Sequence, residues 1–190
     1  MSRATTEERP APVVRAVLSF DEVYDRHFRF VWRVLRASGL PPSQVEDAAQ
    51  DVFVVVHRRL SEFEGRSDIR TWLFRIASWV VTSERRKLRN KRQHEASDEA
   101  VSDVRDRAAG PFELLERSEA IKTLERILGR MDPEKRMAFL LMDIEEMKAG
   151  EVAELLEINV NTVYSRLRLA REQFKLLVRE SAKAPEGSAP

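Results

Sequence analysis

Asn161, Thr162, Tyr164, Ser165, Arg166, Arg168 and Arg171 bring amide, hydroxyl and guanidinium groups onto one short stretch of chain. Asn and Arg can each place two hydrogen bonds on a base edge, and Ser, Thr and Arg can bond phosphate oxygens. The chemistry on offer is therefore non-covalent recognition of nucleic acid. Val163, Leu167, Ala170, Phe174 and Leu177 step through the same stretch by four, three, four and three residues. That spacing makes one helix, apolar on one side and hydrogen-bonding on the other. Just before it, Glu151 to Leu156 reads as a short helix, and Glu157-Ile158-Asn159 is short enough for the turn of a helix-turn-helix. Asn159 or Asn161 can cap the second helix, leaving its positive end near a phosphate. A basic amphipathic helix alone is more often a solvated surface, but the preceding helix and tight turn reverse that balance.

Covalent chemistry is poorly provided for. There is no cysteine, so disulfides, thiolate metal sites and thiol nucleophiles are all excluded. The three histidines, His27, His57 and His94, fall on separate elements without a paired motif, and neither a P-loop nor a G-x-G-x-x-G is present. No cofactor, metal site or catalytic residue is expected. No apolar run approaches the roughly 20 residues of a membrane span, and the N-terminus lacks the apolar core of a signal peptide. A reducing, cytoplasmic setting fits these features. Net charge is only +1 although 34% of residues are charged, so distribution matters more than balance. Basic residues crowd two places, Arg85 to Arg92 and Arg166 to Arg171.

The elements that must position these groups are helices throughout; few glycines and no alternating β-branched runs predict an all-α fold. Residues 1–18 have no periodicity and read as a flexible tail. Ser19 and Glu22 form a capping box ahead of a helix carrying Val23, Tyr24, His27, Phe28, Val31, Trp32 and Leu35. Pro41-Pro42-Ser43-Gln44-Val45-Glu46 predicts a second capping box, then a helix buried through Val45, Ala48, Ala49, Val52, Phe53, Val56 and Leu60. A third helix, about 69–92, turns Ile69, Trp72, Leu73, Ile76, Ala77, Val80 and Val81 inward. These three helices make a domain over 19–92. A polar linker over 93–111 follows, closed by Gly110-Pro111. The second domain, 112–180, opens with a helix bearing Leu114, Leu115, Ser118, Ile121, Leu124, Ile127 and Leu128. Asp132-Pro133 then restarts the chain as an N-cap with proline at the first helical position, ahead of a helix with Met137, Leu140, Leu141 and Ile144 inside. Residues 181–190 read as a disordered tail.

Two motif sets bear a family resemblance. Val45 to Phe53, with Arg70-Thr71-Trp72-Leu73-Phe74-Arg75-Ile76-Ala77, resembles the second region of extracytoplasmic-function (ECF) sigma factors of the sigma-70 family. Glu134-Lys135-Arg136, Val152 to Leu156 and Asn161 to Leu167 resemble that family's fourth region. The resemblance covers roughly 20–178. It implies a sigma factor that binds core RNA polymerase (β′ and β subunits) and promoter DNA and directs initiation from −10 and −35 elements. A stress or envelope-signal response under an anti-sigma factor is implied as well. Asp47, Gln50 and Asp51 are then expected on the β′ coiled coil, and the helix-turn-helix on the −35 element. Arg66, Ser67, Arg70, Phe74, Arg75, Trp79, Arg85 and Arg86 are expected at the −10 element, where extruding a base needs a pocket and cationic support.

The chain departs from that family at several points. Trp79 stands where Asn is usual and Ser83 where Asp is frequent. Tyr164 and Leu169 replace common cations, and Glu157 replaces a glycine of the turn, so it must tolerate a positive φ if the turn requires one. Losing two cations should weaken phosphate binding, and an unusual −35 sequence is expected. Two other classes remain open at this point. An autonomous, dimeric helix-turn-helix regulator on palindromic sites explains 150–171 and leaves the first domain without a role. An interaction module that has lost DNA binding is the other.

Overall fold

The computed structural model describes residues 18–95 and 119–183, and its described residues form helices without a strand. The tail before Leu18, the linker from residue 96, the Leu114-Leu115-Ser118 stripe and the tail from residue 184 lie outside the described residues. The side chains of His94 and Ile121 do too.

Helix α1 (Phe20–Ala37) starts at the predicted capping box: the Glu22 amide donates to Ser19 Oγ and the Ser19 amide to Glu22 Oε2, both at 3.2 Å. It ends at Gly39, whose φ of +81° turns the chain into α2 (Pro42–Arg59). The second capping box does not form. Pro41 is the N-cap, with no side-chain bond, and Pro42 holds the first helical position. Its ring already fixes φ for a helix start, so Ser43 is drawn inside the first turn, where it cannot cap. After a 3₁₀ turn (Leu60–Glu62) comes α3 (Ile69–Glu95), three residues longer than the sequence pattern predicts.

Helices α1, α2 and α3 pack on one another around Val31, Val34, Leu35, Val52, Val56, Leu73 and Ala77, all fully buried. Tyr24, Phe28 and Phe53 cluster beside this core, with Phe28 stacked on Phe53 and Tyr24 edge-on to Phe53. In the second half, α4 (Glu119–Gly129) leads to α5 (Pro133–Phe139), where Asp132 Oδ1 accepts from the Glu134 and Lys135 amides as the sequence predicts. Next, α5 widens into a π-helical turn (Leu140–Ile144), then α6 (Ala149–Leu156) and α7 (Val160–Lys183) follow. Leu167, Ala170 and Leu177 of α7 close a small core with Ile127, Met131 and Phe139.

The two halves are not separate bodies here. Leu140, Leu141, Met147, Ala149, Val152 and Val163 join the core of α1–α3, and α6 packs on α3 while α5 packs on α1. No helix among the described residues is long and apolar enough to cross a membrane.

Candidate nucleic-acid interface

The turn between α6 and α7 is built as a helix-turn-helix requires. Glu151 accepts from the Lys148 amide at 3.1 Å and starts α6. Glu157 ends it in the left-handed region, φ 54° and ψ 43°, with its amide on the Ala153 carbonyl. A residue with a Cβ pays of order 1 kcal/mol for that conformation, so the departure from glycine is tolerated and not designed around. Asn159, rather than Asn161, caps α7: its Oδ1 accepts from the Asn161 amide at 2.8 Å. Val163, Leu167, Ala170 and Leu177 are buried, and Phe174 is partly buried against Phe139.

On the other side, Asn161, Tyr164, Ser165, Arg168 and Arg171 are exposed, with Thr162 and Arg166 half-buried. Each arginine of this face already holds a carboxylate. Arg166 pairs with Glu134, Arg168 with Glu172 at 2.8 Å, and Arg171 makes two bonds to Asp143 at 2.8 and 2.6 Å. The Asp143 carboxylate raises the Arg171 pKa. Ser165 Oγ donates to the Thr162 carbonyl at 3.0 Å. Arg168 and Glu172 are an i,i+4 pair that sequence spacing allows, but the sequence does not foretell the other two pairings, because Asp143 and Glu134 lie outside α7.

The residues expected at a −10 element divide. Arg66, Ser67, Arg75, Trp79 and Arg86 are exposed, Arg66 pairing with its neighbour Glu64. Phe74 is a correction: it is 4% exposed, in the core, and cannot stack on a base. α3 packs against α1, α2 and α6, so its buried arc is wide enough to take in Phe74 beside Leu73. Arg85 donates to the Ser38 carbonyl at the end of α1. Arg70 is tied between Asp68 Oδ1 and, at 2.7 Å, the Glu145 carbonyl. Trp72 is half-buried against Phe63 with ring centroids 5.3 Å apart. On α2, Asp47, Gln50 and Asp51 share an exposed face with Val54, which is 47% exposed. Val54 was missed, because an apolar residue in the run Val52 to Val56 reads as core.

Comparison with known proteins decides between the classes left open. Residues 23–91 match the family described as Sigma-70 region 2, and residues 121–174 match Sigma-70, region 4. The ECF RNA polymerase sigma factor SigX of Bacillus subtilis is 30% identical, over 85% of this chain and 87% of its own length. Among solved structures, CnrH in complex with the cytosolic domain of CnrY is 25% identical, with a TM-score of 0.55 over 87% of this chain and 89% of that one. The sigma factor RpoE in complex with the anti-sigma factor NepR, from Bartonella quintana, shares the fold at 19% identity, with a TM-score of 0.64 over 84% and 96%. The chain is an ECF sigma factor. It directs transcription initiation by RNA polymerase, and a free-standing regulator leaves α1–α3 without that match.

In this sigma factor the two matched regions meet along a polar seam. Arg136 of α5, 6% exposed, donates to the Ala37 carbonyl of α1 at 2.9 Å and to the Leu128 carbonyl at 3.2 Å. Burial lowers its pKa, but a guanidinium starts so high that it stays charged. A Cβ on Gly39 would come within 3.3 Å of Arg136 Nη2, so glycine there serves both the turn and the seam. Glu145 accepts from Arg33 at 2.5 Å, and Arg36 reaches Glu125 at 3.3 Å. Between these contacts lies a cleft of about 600 Å³, walled by Trp32, Leu40, Leu124 and Leu128 and edged by Arg29 and Arg36. Leu124, expected in a core, is 37% exposed on its wall. His27 is half-buried nearby; burial lowers its pKa, opposed first by Asp68.

Proposed function

We propose that the α2 face of Asp47, Gln50 and Asp51 docks on the β′ coiled coil of core RNA polymerase. The α7 face of Asn161, Thr162, Tyr164, Ser165, Arg166, Arg168 and Arg171 reads the −35 element. Arg66, Ser67, Arg75, Trp79 and Arg86 engage the −10 element. Arg70 and Arg85 join them only when the contacts that now hold them are given up, and Phe74 supports α3 from inside. The functional units are residues 19–92 and 112–180 with 93–111 as the link. The protein acts in the cytoplasm without chemistry of its own, and the polymerase supplies catalysis.

The observation that carries this reading is the coincidence of two things in one chain. The two family regions occur in order, and each offers a solvent-facing helix of the right polarity, acidic on α2 and basic on α7. An anti-sigma partner is part of the reading, supported by the complexes in which CnrH and RpoE were solved. Run-off transcription with core polymerase on genomic fragments tests it. Discrete start sites that need both the chain and core polymerase are expected. Tight, polymerase-independent binding to a palindrome would overturn it.

A further inference from the structure

The cleft between the two matched regions has no part in the function described so far. Trp32 and Leu40 wall it from the side of α1, Leu124 and Leu128 from α4, and Leu140 from the π-helical turn. At about 600 Å³ it has the size of a small-molecule site, and such sites are mostly apolar with a few convergent polar groups. Leu124 is 37% exposed on its wall. Apolar surface held against water there is surface that an apolar guest would bury.

The charge around the cleft is one-sided. Among the described residues its lining holds the guanidiniums of Arg29, Arg33, Arg36 and Arg136 against the single carboxylate of Glu125. Arg33 is held by Glu145, and Arg36 reaches Glu125 at 3.3 Å while lying over the Trp32 ring. Arg29 is exposed and takes part in no ion pair among the described residues. Arg136 donates only to carbonyls, through Nε and Nη1. Its Nη2 has no acceptor among the described residues, although the residue is 6% exposed. That nitrogen lies on the side of Gly39, which lines the cleft with it. Burial lowers the Arg136 pKa most, and the like charge of Arg36 lowers it further, so the two guanidiniums repel each other. A carboxylate between them would accept from both and remove that repulsion.

We propose that the cleft binds a small apolar carboxylate of the fatty-acid type, its carboxylate between Arg36 and Arg136 and its chain along Trp32, Leu124 and Leu128. A sugar or nucleoside would leave hydroxyls unpaired against the leucines, and the arginines repel a cation. Such a ligand touches α1 on one side and α4 and α5 on the other, so it holds the two regions closed. In the closed arrangement Arg70 donates to the Glu145 carbonyl at 2.7 Å across the seam. On the reading of Arg70 as a −10 residue, the bound carboxylate keeps it from DNA and acts as a brake on initiation.

Calorimetric titration of the full chain with decanoate, below its micelle concentration, tests the site. Decanoate should bind at least about ten-fold tighter than decanol, which has the chain without the charge, and R36Q should weaken it by about as much. Decylammonium should not bind. L124W, which fills the cleft from an exposed position and leaves every arginine in place, should abolish binding without lowering the thermal midpoint of the free chain. Decanoate should also raise the urea midpoint of the parent chain and not that of L124W, because a ligand of the folded state stabilises it. Equal affinity for decanoate and decanol, or undiminished binding by L124W, overturns the proposal. Self-association that L124W abolishes would give the cleft to a second copy of the chain, and capture of an acidic amphipathic helical peptide in place of decanoate would give it to a protein partner; either overturns it. In run-off transcription, decanoate should reduce initiation with the parent chain and not with L124W. Binding without that reduction overturns the brake, and a holoenzyme that starts nowhere even without decanoate overturns the functional reading instead.

Discussion

α3 and α7 both turn arginines outward, but in opposite condition. Arg166, Arg168 and Arg171 of α7 are each held by a carboxylate, while Arg75, Arg86 and Arg89 of α3 hold none among the described residues. For α7, contact with a phosphate is an exchange of one anion for another, and the net gain is small because exposed pairs are themselves worth only about 0–1 kcal/mol. What the pairing supplies is order, since the guanidinium planes are already set when DNA arrives. The α3 arginines lose more rotamer freedom on binding but give up no partner. The difference suits α7 to discrimination and α3 to holding a strand.

The largest expected effect tests whether both helices belong to one body. Arg136→Met leaves the Ala37 carbonyl without its donor inside the seam, while the Leu128 carbonyl keeps the Met131 amide, and one buried orphan costs about 1–3 kcal/mol. Urea unfolding should show a loss of roughly 2 kcal/mol, and small-angle scattering should show the halves further apart. If stability falls by less than about 1 kcal/mol, water replaces the guanidinium and the seam is not what unites them.

Next comes the discriminating side of the comparison. Arg168→Ala should cost about 1–3 kcal/mol on the preferred −35 sequence and relax choice at one base pair. A uniform loss across sequences, read by competition binding of holoenzyme, would move Arg168 to the phosphate side. Asp143→Asn sharpens the same point in reverse. With its carboxylate gone, Arg171 is freed for phosphate, so DNA affinity should rise several-fold and the slope of log K against log salt should steepen by about 1. An unchanged slope would mean that Arg171 serves the fold alone.

The smallest effect is on pH. His27 has its pKa lowered by burial, so the unfolded chain binds more protons than the folded one between the two pKa values. Stability is therefore intact above the ordinary histidine value near 6.5 and falls as pH drops through it toward the folded pKa. The fall in Tm from pH 7.5 to about 5.5 should be shallower in His27→Gln. An equal fall would assign the pH dependence to other groups.

Local signals were legible in the sequence where one side chain settles one backbone group. Ser19 with Glu22, Asp132 with Pro133, and Asn159 at the helix-turn-helix all form as read. Ser43 with Glu46 has the same pattern and fails, because Pro42 competes for the start of the helix. The periodicity of α7 gave its buried face residue by residue, since α7 packs on one side only. α3 packs on several, so periodicity misplaced Phe74 and gave no hint that Arg70 and Arg85 would be spent on carbonyls. Arg136 was recognised only as part of a motif. Its burial depends on the ends of α1 and α4, 99 and 8 residues away in sequence.

The makeup of that seam has a mechanical consequence. Arg33–Glu145 and Arg36–Glu125 are partly exposed ion pairs, so added salt screens them. Arg136 is bound by carbonyl dipoles out of reach of solvent, and salt acts on it far less. Raising ionic strength therefore loosens the joint along its charged edge while the guanidinium stays seated beside Gly39. The apolar contacts of Leu140, Leu141 and Val152 with α1–α3 carry no charge to screen, so the edge frays in salt while the halves stay joined.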